Sequence, residues 1–217
     1  MRTLIVSGGK IEEDFALSFY KNTVFDWIIG VDRGLAFLYD HEILPTHVVG
    51  DFDSADPKLE QFYRGKAGIE VRRFNPMKDS TDTQIAIELA LELKSTCITM
   101  LGSTGSRLDH VLGNIQSMML AKKAGADCVM LDAHNRIRLI TEDTVIRRDE
   151  QYGRFVSLLP LTTKVEGVEL IGFKYPLHNY TFTSTGSAGL GVSNEILDKE
   201  AVIRMRSGVL ILIEALD

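Results

Sequence analysis

The segment CITMLGSTGSRLDHVLGNIQSMM, residues 97–119, carries three patterns in direct succession. It begins with an apolar run, Cys97–Leu101, that is typical of a buried β-strand. A loop of small residues follows at 102–106. Apolar residues then repeat at helical spacing, at Leu108, Leu112, Ile115 and Met119. A strand, a loop and a helix in this order form the unit from which parallel sheets are built.

The same unit recurs on both sides of this segment. Further apolar runs predict β-strands at Thr3–Ser7, Trp27–Val31, Thr46–Gly50, Glu70–Phe74 and Cys128–Leu131. Helical patterns lie between them at Asp14–Lys21, Leu35–His41 and Lys58–Arg64, and around Ile85, Leu89 and Leu93. Strands that alternate with helices predict a mainly parallel sheet with flanking helices, a Rossmann-like α/β domain.

The pattern changes after Asp132. Short apolar runs follow one another with turn residues between them, at Arg136–Thr141, Arg154–Leu159, Val165–Ile171 and Tyr180–Thr185. Residues 201–217 predict a β-hairpin that turns at Ser207-Gly208. We therefore expect an N-terminal α/β domain, residues 1–133, followed by a smaller all-β sandwich domain, residues 134–217.

Composition excludes several classes of protein. The 217 residues are 45% hydrophobic and 25% charged, as in an ordinary folded protein. No apolar run approaches the ~20 residues of a membrane span. The net charge of −6 argues against a nucleic-acid partner. Cys97 and Cys128 stand alone in apolar stretches, which predicts reduced thiols and a cytoplasmic location. We also expect neither a signal peptide nor a membrane contact.

The excess acid lies in the first 133 residues, which hold 19 acidic and 14 basic side chains. Asp51 and Asp53 come directly after a predicted strand, and their alternate spacing allows both carboxylates to face one Mg²⁺ ion. The competing interpretation is a turn that caps the helix at Lys58–Arg64. Further acids at neighbouring strand ends favour the metal site: Asp32, Asp79 and Asp82.

Asp82 also has a purely structural explanation. Thr81 and Gln84 have the spacing of a capping box, and an acid in the first turn stabilises a helix without any further function. Asp79 could likewise be an ordinary turn residue.

The loop at 102–106 is suited to phosphate, because small residues let backbone N–H groups approach an anion at a helix N-terminus. It lacks the sequence of a P-loop and of a GxGxxG motif. Arg107 could bind phosphate through two hydrogen bonds. Asp109 could instead be the third residue of a helix capped by Ser106, and His110 could be a surface residue.

The C-terminal domain offers fewer candidates. Residues 186–195, GSAGLGVSNE, are rich in glycine and carry hydroxyl and amide groups that could hydrogen-bond a polar heteroaromatic ligand. An ordinary surface loop is the competing interpretation.

Taken in order, these motifs resemble those of the thiamin pyrophosphokinase family. The resemblance spans Ser7 to Glu195 and rests on GVDRG at 30–34, GDFDS at 50–54, KDSTD at 78–82, GSTGSRLDH at 102–110, KYPL at 174–177 and VSNE at 192–195. It implies a Mg²⁺-dependent transferase that moves a pyrophosphoryl group from ATP to thiamin and releases AMP. It further implies a homodimer in which the α/β domain of one subunit and the β-sandwich of the other frame each site.

The resemblance also implies roles for individual residues. The catalytic and metal-binding acids are Asp51, Asp53 and Asp82. The ATP-binding residues are Asp32, Arg33, Lys78, Asp79, Gly102, Ser103, Thr104, Gly105, Ser106, Arg107, Asp109 and His110. The thiamin-binding residues are Ser187, Ser193 and Asn194.

Two positions depart from the pattern of the family. Arg33 stands where many relatives have glycine, and it adds a cation that could reach phosphate. Gly191 stands where animal relatives have a serine, and Ser187 could replace that contact. Outside this family, Asp51 and Asp53 are compatible with a Mg²⁺-dependent phosphohydrolase or glycosyltransferase, and the C-terminal loop with a non-catalytic thiamin or nucleotide sensor.

Overall fold

A computed structural model describes residues 1–50, 57–73, 81–186 and 188–217. The chain divides into two compact units, Met1–Ala133 and His134–Asp217.

The first unit alternates strands and helices, as the sequence predicts. Its strands are β1 (Arg2–Val6), β2 (Trp27–Val31), β3 (His47–Gly50), β4 (Glu70–Arg73), β5 (Cys97–Leu101) and β6 (Asp127–Leu131). Its helices are α1 (Glu13–Lys21), α2 (Gly34–Asp40), α3 (Pro57–Arg64), α4 (Asp82–Glu92) and α5 (Leu108–Lys123). The predicted α/β class is confirmed for this unit.

The six strands are parallel and lie in the order β6-β5-β1-β2-β3-β4. The chain therefore builds from β1 towards β4 on one side and then crosses to β5 on the other side of β1. In open α/β sheets, ligands bind at the carboxyl ends of the strands, at the point where the strand order reverses. That point lies here between β1 and β5.

Burial explains why the strands read as continuous apolar runs. Every residue of β1 after Arg2 is buried, as expected for a parallel strand covered on both faces. Helix α4 buries Ile85, Ile87 and Leu89. It begins at the predicted cap, since Thr81 Oγ1 accepts a hydrogen bond of 3.2 Å from the backbone N–H of Gln84.

The second unit is a sandwich of antiparallel strands, which confirms the predicted class. Its elements are β7 (Asn135–Ile140), β8 (Thr144–Arg147), β9 (Phe155–Pro160), β10 (Lys164–Ile171), β11 (Leu177–Thr183), α6 (Ala188–Gly191), β12 (Asn194–Glu195), β13 (Glu200–Arg204) and β14 (Leu210–Ala215). The strand orders within this unit are β12-β9-β14-β7 and β11-β10-β13-β8. Both groups of strands contribute to one core, with Leu158 and Leu212 from the first and Val168 and Phe182 from the second.

The predicted hairpin at Ser207-Gly208 is wrong. β13 pairs with β8 and β10, whereas β14 pairs with β7 and β9, so the chain passes from one sheet to the other. The connection is held along β10, because the N–H of Arg206 donates to Glu166 O at 2.9 Å and the N–H of Glu166 donates to Ser207 O at 3.1 Å. Alternating apolar residues predict that one face of a strand is buried, but they do not predict which sheet the strand joins.

The cysteines carry no disulfide. Both are free thiols, Cys97 partly buried and Cys128 buried, and burial raises the pKa of Cys128 to about 12. Within the described ranges, no helix is both long enough and apolar enough to cross a membrane.

Candidate active site

A cavity of about 600 Å³ lies at the carboxyl ends of β1, β2 and β5, at the point where the strand order reverses. The loops after these strands line it together with the first turns of α4 and α5. The lining residues are Ser7, Gly8, Gly9, Lys10, Val31, Asp32, Arg33, Thr83, Gly102, Ser103, Thr104, Gly105, Ser106, Arg107, His110, Val111 and Asn114. The structure therefore brings together most of the residues predicted to bind ATP.

Glycines allow the loops after β1 and β5 to touch. The N–H of Gly9 donates to Gly102 O at 2.7 Å, and the N–H of Lys10 donates to Thr104 O at 2.8 Å. A Cβ on Gly9 would lie only 2.1 Å from Thr104 O. Gly102 has φ +63°, a conformation that favours glycine. The contact between the two backbones therefore requires glycine at both positions.

Side chains hold the loop at 102–106 from below. Asn114 Nδ2 donates to Ser103 O at 2.8 Å, and Ser103 Oγ donates to Met100 O at 3.3 Å. On the β1 side, the hydroxyl oxygens of Ser7 and Thr83 are 3.3 Å apart, which links that loop to α4. Buried polar side chains thus fix the floor of the cavity.

The backbone N–H groups of residues 103–106 have no hydrogen-bond acceptor among the residues that the structure describes. Ser103 is buried, and Thr104 and Gly105 are half-buried. These N–H groups border the cavity, so they are donors that a ligand could use. They precede the N-terminus of α5, a helix of 16 residues whose dipole favours negative charge. This wall of the cavity therefore has the chemistry of an anion site.

The basic side chains around the cavity differ in their partners. Lys10 Nζ lies 2.8 Å from Glu12 Oε1, and the hydrogen bond and charge of Glu12 raise the pKa of Lys10. Arg107 Nη2 donates to Asp109 Oδ2 at 2.6 Å, which raises the pKa of Arg107 and lowers that of Asp109. Arg33 forms no ion pair with any carboxylate of the described residues. Arg33 lines the cavity, so it is a candidate partner for an anionic ligand.

The start of α5 corrects one structural alternative. The cap is Arg107 rather than Ser106, so Asp109 is the second residue of the helix and not the third. The side chain of Arg107 makes no capping hydrogen bond to this end. Arg107 and Asp109 are both largely exposed, with 70% and 64% of their side-chain surface accessible.

Asp32 occupies a constrained turn directly after β2. Its φ of +47° is uncommon for a residue other than glycine. Its N–H donates to Val49 O at 3.4 Å, and its carbonyl oxygen accepts from the N–H of Leu35 at 3.1 Å. The turn places Asp32 at the wall of the cavity, as predicted from its position after a strand.

The structure describes only some of the other predicted site residues. Asp51, Asp53, Lys78, Asp79 and Ser187 lie outside the described residues, and their roles stay predictions. Asp82 is the first residue of α4, which agrees with its capping interpretation, and Asp82 is adjacent in sequence to Thr83 in the cavity wall. A first-turn acid stabilises the helix, and that role is compatible with binding a cation.

The polar residues around this cavity that sequence reasoning did not assign to the site include Lys10, Asn114 and Asp132. Lys10 and Asn114 line it. Asp132 lies behind it, where its Oδ2 accepts a hydrogen bond of 2.7 Å from Thr104 Oγ1. Asp132 directly follows β6, so the strand-end rule that identified Asp32 could have found it too. Asn114 lies one helical turn after His110, and that spacing was the available signal.

In the second unit, the buried side chain of Asn194 hydrogen-bonds the backbone of its neighbours. Its Oδ1 accepts from the N–H of Tyr175 at 3.0 Å and from that of Glu195 at 2.9 Å, while its Nδ2 donates to Tyr175 O at 2.8 Å. Ser193, beside it, has φ +56° and donates its N–H to Ser157 Oγ at 3.0 Å. The side chain of Asn194 thus holds the backbone of Tyr175.

The motifs at 174–177 and 192–195 meet at this place. Glu195 Oε1 lies 2.7 Å from Lys174 Nζ, and Glu195 Oε2 lies 2.8 Å from Arg154 Nε. Hydrogen bonds from these two cations lower the pKa of Glu195. Two motifs that are separate in the sequence therefore form one cluster.

The first unit is an open parallel α/β sheet with an anion-binding wall at its switch point, and an antiparallel sandwich follows it in the chain. These features define a two-unit α/β protein with a candidate anion site at its switch point. The family profile "Thiamin pyrophosphokinase, catalytic domain" matches residues 21–130, and "Thiamin pyrophosphokinase, vitamin B1 binding domain" matches residues 143–210. The chain belongs to the thiamin pyrophosphokinase family.

Individual relatives agree with this assignment. The chain is 34% identical over 218 residues to thiamine pyrophosphokinase of Bacillus subtilis strain 168, with both chains fully covered. A crystal structure of thiamine pyrophosphokinase from Bacillus subtilis matches with TM-score 0.85 and 32% identity over all of both chains. One from Geobacillus thermodenitrificans matches with TM-score 0.84 and 29% identity, over 100% of this chain and 98% of that one. The comparisons favour the pyrophosphokinase prediction over a phosphohydrolase or a sensor.

Proposed function

We propose that this protein transfers the pyrophosphoryl group of ATP to the hydroxyl of thiamin, giving thiamin diphosphate and AMP. Its family makes it a diphosphotransferase. One structural observation carries the proposal: the open N–H groups of residues 103–106 beside a cavity of about 600 Å³.

The polyphosphate of ATP would lie along this wall. Its charge is complementary to the open N–H groups, to the N-terminus of α5 and to the guanidinium of Arg33. The proposed ATP-binding residues also include Lys78, Asp32, Asp79, Arg107 and His110. Asp109 influences ATP binding through its ion pair with Arg107.

The donor set at this edge suits Mg²⁺, which prefers carboxylate oxygens together with substrate phosphates. Asp32 lines the cavity, and Asp82 is adjacent to the lining residue Thr83. We propose that Asp51, Asp53 and Asp82 hold the Mg²⁺ of the ATP complex, with Asp32 beside them. Bound there, Mg²⁺ supplies charge neutralisation, without which an acidic edge would repel ATP.

In the proposed step, the hydroxyl oxygen of thiamin attacks the β-phosphorus of ATP. The bond from the β-phosphorus to the oxygen that bridges it to the α-phosphate breaks, and AMP leaves with that electron pair. The hydroxyl proton passes to a carboxylate of the site. The protein contributes mainly by positioning the reactants and stabilising charge.

We assign thiamin to the second unit, with Ser187, Ser193 and Asn194 at its site. The meeting of the two C-terminal motifs supports this assignment. Because Asn194 is bonded to the backbone of Tyr175, we expect it to influence thiamin by holding Tyr175 and Ser193 in place.

We further propose a homodimer. Exposed apolar side chains support a covered surface in each unit, with Leu108 and Leu112 70% and 61% exposed in the first and Tyr175 and Leu197 56% and 55% exposed in the second. Light scattering is expected to give the mass of two chains, and the mass of one chain would contradict this. The free thiols of Cys97 and Cys128 support a reducing, cytoplasmic location.

The test is a product analysis. Purified protein is incubated with Mg²⁺, ATP and thiamin, and nucleotides and thiamin species are resolved by chromatography. We expect AMP and thiamin diphosphate in equal amounts. ADP or inorganic phosphate as the main product would contradict the proposal.

The same assay tests the acids. Asp51→Asn and Asp53→Asn are each expected to lower the rate by about 100-fold or more, since electrostatic groups at a reacting centre contribute on this scale. Asp149→Asn is the matched control, because Asp149 is an exposed acid of the second unit outside the proposed site. Near-normal rates of the first two variants would refute the metal assignment.

A further inference from the structure

We propose that Asp132 is a positioning residue for nucleotide binding and that it acts through Thr104. The proposal rests on the proposed ATP site and adds to it a residue that does not line the cavity.

Asp132 is a buried acid with a defined partner. It follows β6 directly, and only 8% of its surface is exposed. Its Oδ2 lies 2.7 Å from Thr104 Oγ1, within the short range of a hydrogen bond between a hydroxyl and a carboxylate. A buried carboxylate is costly without hydrogen-bond partners, and the Thr104 hydroxyl is one of them.

Thr104 transmits this restraint to the cavity wall. Its carbonyl oxygen accepts the N–H of Lys10 at 2.8 Å, and a Cβ on the adjacent Gly9 would collide with that same oxygen. Asp132, Thr104 and Lys10 thus connect the ends of β6, β5 and β1. The open N–H groups of residues 103–106 lie within this connected region, so their positions depend on it.

The hydrogen bond also sets the chemistry of the wall. The proton of the Thr104 hydroxyl is committed to Asp132, and its oxygen can therefore accept from a ligand but not donate to it. At Thr104, donation to phosphate is therefore left to the backbone N–H. A direct contact between Asp132 and phosphate would be repulsive, which is why the carboxylate acts from behind the loop.

The test measures nucleotide binding separately from turnover. The probe is the α,β-methylene analogue of ATP with Mg²⁺, titrated by calorimetry into the full-length protein. Asp132→Ala and Thr104→Val are each expected to weaken binding by about tenfold or more, the scale of a lost hydrogen bond to a charged group. Asp132→Asn keeps an acceptor for Thr104 and is expected to lose less.

Two further readouts separate positioning from general damage. The KM for ATP is expected to rise in parallel with the dissociation constant, while kcat and the KM for thiamin change by no more than about twofold. The double variant Asp132→Ala/Thr104→Val is expected to bind no worse than either single variant, because the two residues act as one unit. Asp127→Asn, an exposed acid at the opposite end of β6, is the control and is expected to bind normally.

Other outcomes overturn the proposal. Additive losses in the double variant would show that Asp132 does not act through Thr104, and an equal rise in the KM for thiamin would show a general disturbance. If Asp132→Ala does not fold, Thr104→Val tests the same bond from the partner side. A wild-type protein that binds the analogue but makes no thiamin diphosphate would refute the proposed function and leave the role of Asp132 to the binding data.

Discussion

Both units of this protein bury polar side chains, but they use them differently. In the second unit the side chain of Glu214 is fully buried, and its oxygens bind Arg136 and Arg138. In the first unit the buried Asn114 holds Ser103 on one side and lines the cavity on the other. The carboxylate of Glu214 is bound by protein groups, whereas Asn114 borders space for a ligand. Burial alone therefore does not distinguish a polar residue that stabilises the fold from one that borders space for a ligand.

The largest effect is expected for Glu214→Gln. Arg136 Nε donates to Glu214 Oε2 at 2.7 Å, and Arg138 Nη2 donates to the same oxygen at 3.1 Å. Removing the charge leaves two guanidinium groups beside a neutral amide, which is expected to lower the free energy of unfolding by about 3 kcal/mol. Urea unfolding followed by circular dichroism measures it. The control is Glu200→Gln, since Glu200 is 54% exposed and pairs with Arg147 at 3.5 Å, for which we expect less than about 1 kcal/mol.

The same carboxylate predicts a pH dependence. Burial by itself would raise the pKa of Glu214, but hydrogen bonds from Arg136 and from the N–H of Tyr152 lower it overall. A folded-state pKa below the unfolded value of about 4.3 means that this stabilisation is complete above pH 4.3 and is lost as the pH falls through the folded pKa. Unfolding midpoints between neutral and acid pH should therefore decline less steeply in Glu214→Gln. Parallel curves would contradict the assignment.

A somewhat smaller effect is expected for Gly9→Ala, which challenges the first unit. The new Cβ would lie 2.1 Å from Thr104 O, so the loops after β1 and β5 must separate. We expect a loss of about 2 kcal/mol in stability, typical of overpacking, and a larger proportional loss of ATP binding. Gly113→Ala is the control, because nothing lies within 4 Å of a Cβ there and alanine favours a helix by about 0.5–1 kcal/mol. A normal KM for ATP in Gly9→Ala would contradict the proposed wall.

The smallest effects on stability are expected for substitutions of two buried asparagines, Asn194 and Asn114. Asn194→Ala leaves the N–H and carbonyl of Tyr175 without their side-chain partner and is expected to lower stability by about 1–2 kcal/mol. Asn114→Ala frees only one backbone group, the carbonyl of Ser103, so stability should fall less while the KM for ATP rises. Thermal melts and steady-state kinetics on both variants test the contrast. The reverse order of stability losses would break it.

Much of the first unit follows from local patterns. β2 and β5 have their predicted bounds, because buried runs in a parallel sheet are continuous and end abruptly at polar or glycine residues. The cavity also follows, since strand ends of a parallel sheet share one edge and Asp32 and the 102–106 loop lie there.

The features that the sequence did not predict depend on contacts between residues that are far apart in the chain. Asp132 is one acid among many until the fold places it against Thr104. The hairpin prediction failed because Ser207-Gly208 has hairpin chemistry, while the pairing of β14 is decided by β7 and β9. Likewise, the sequence does not show that the side chain of Asn194 hydrogen-bonds the backbone of Tyr175, and its predicted role in thiamin binding stays a prediction.

The position of β14 has a consequence for biosynthesis. This strand lies between β7 and β9, so each of them lacks a partner on that side until residue 215 has been made. The described parallel strands of the first unit have all been made by residue 131, and Asp132, which holds Thr104, follows directly. During translation the nucleotide cavity can therefore assemble on the ribosome while the sandwich still waits for its last strand. The position of β14 therefore allows the first unit to fold before the second during synthesis.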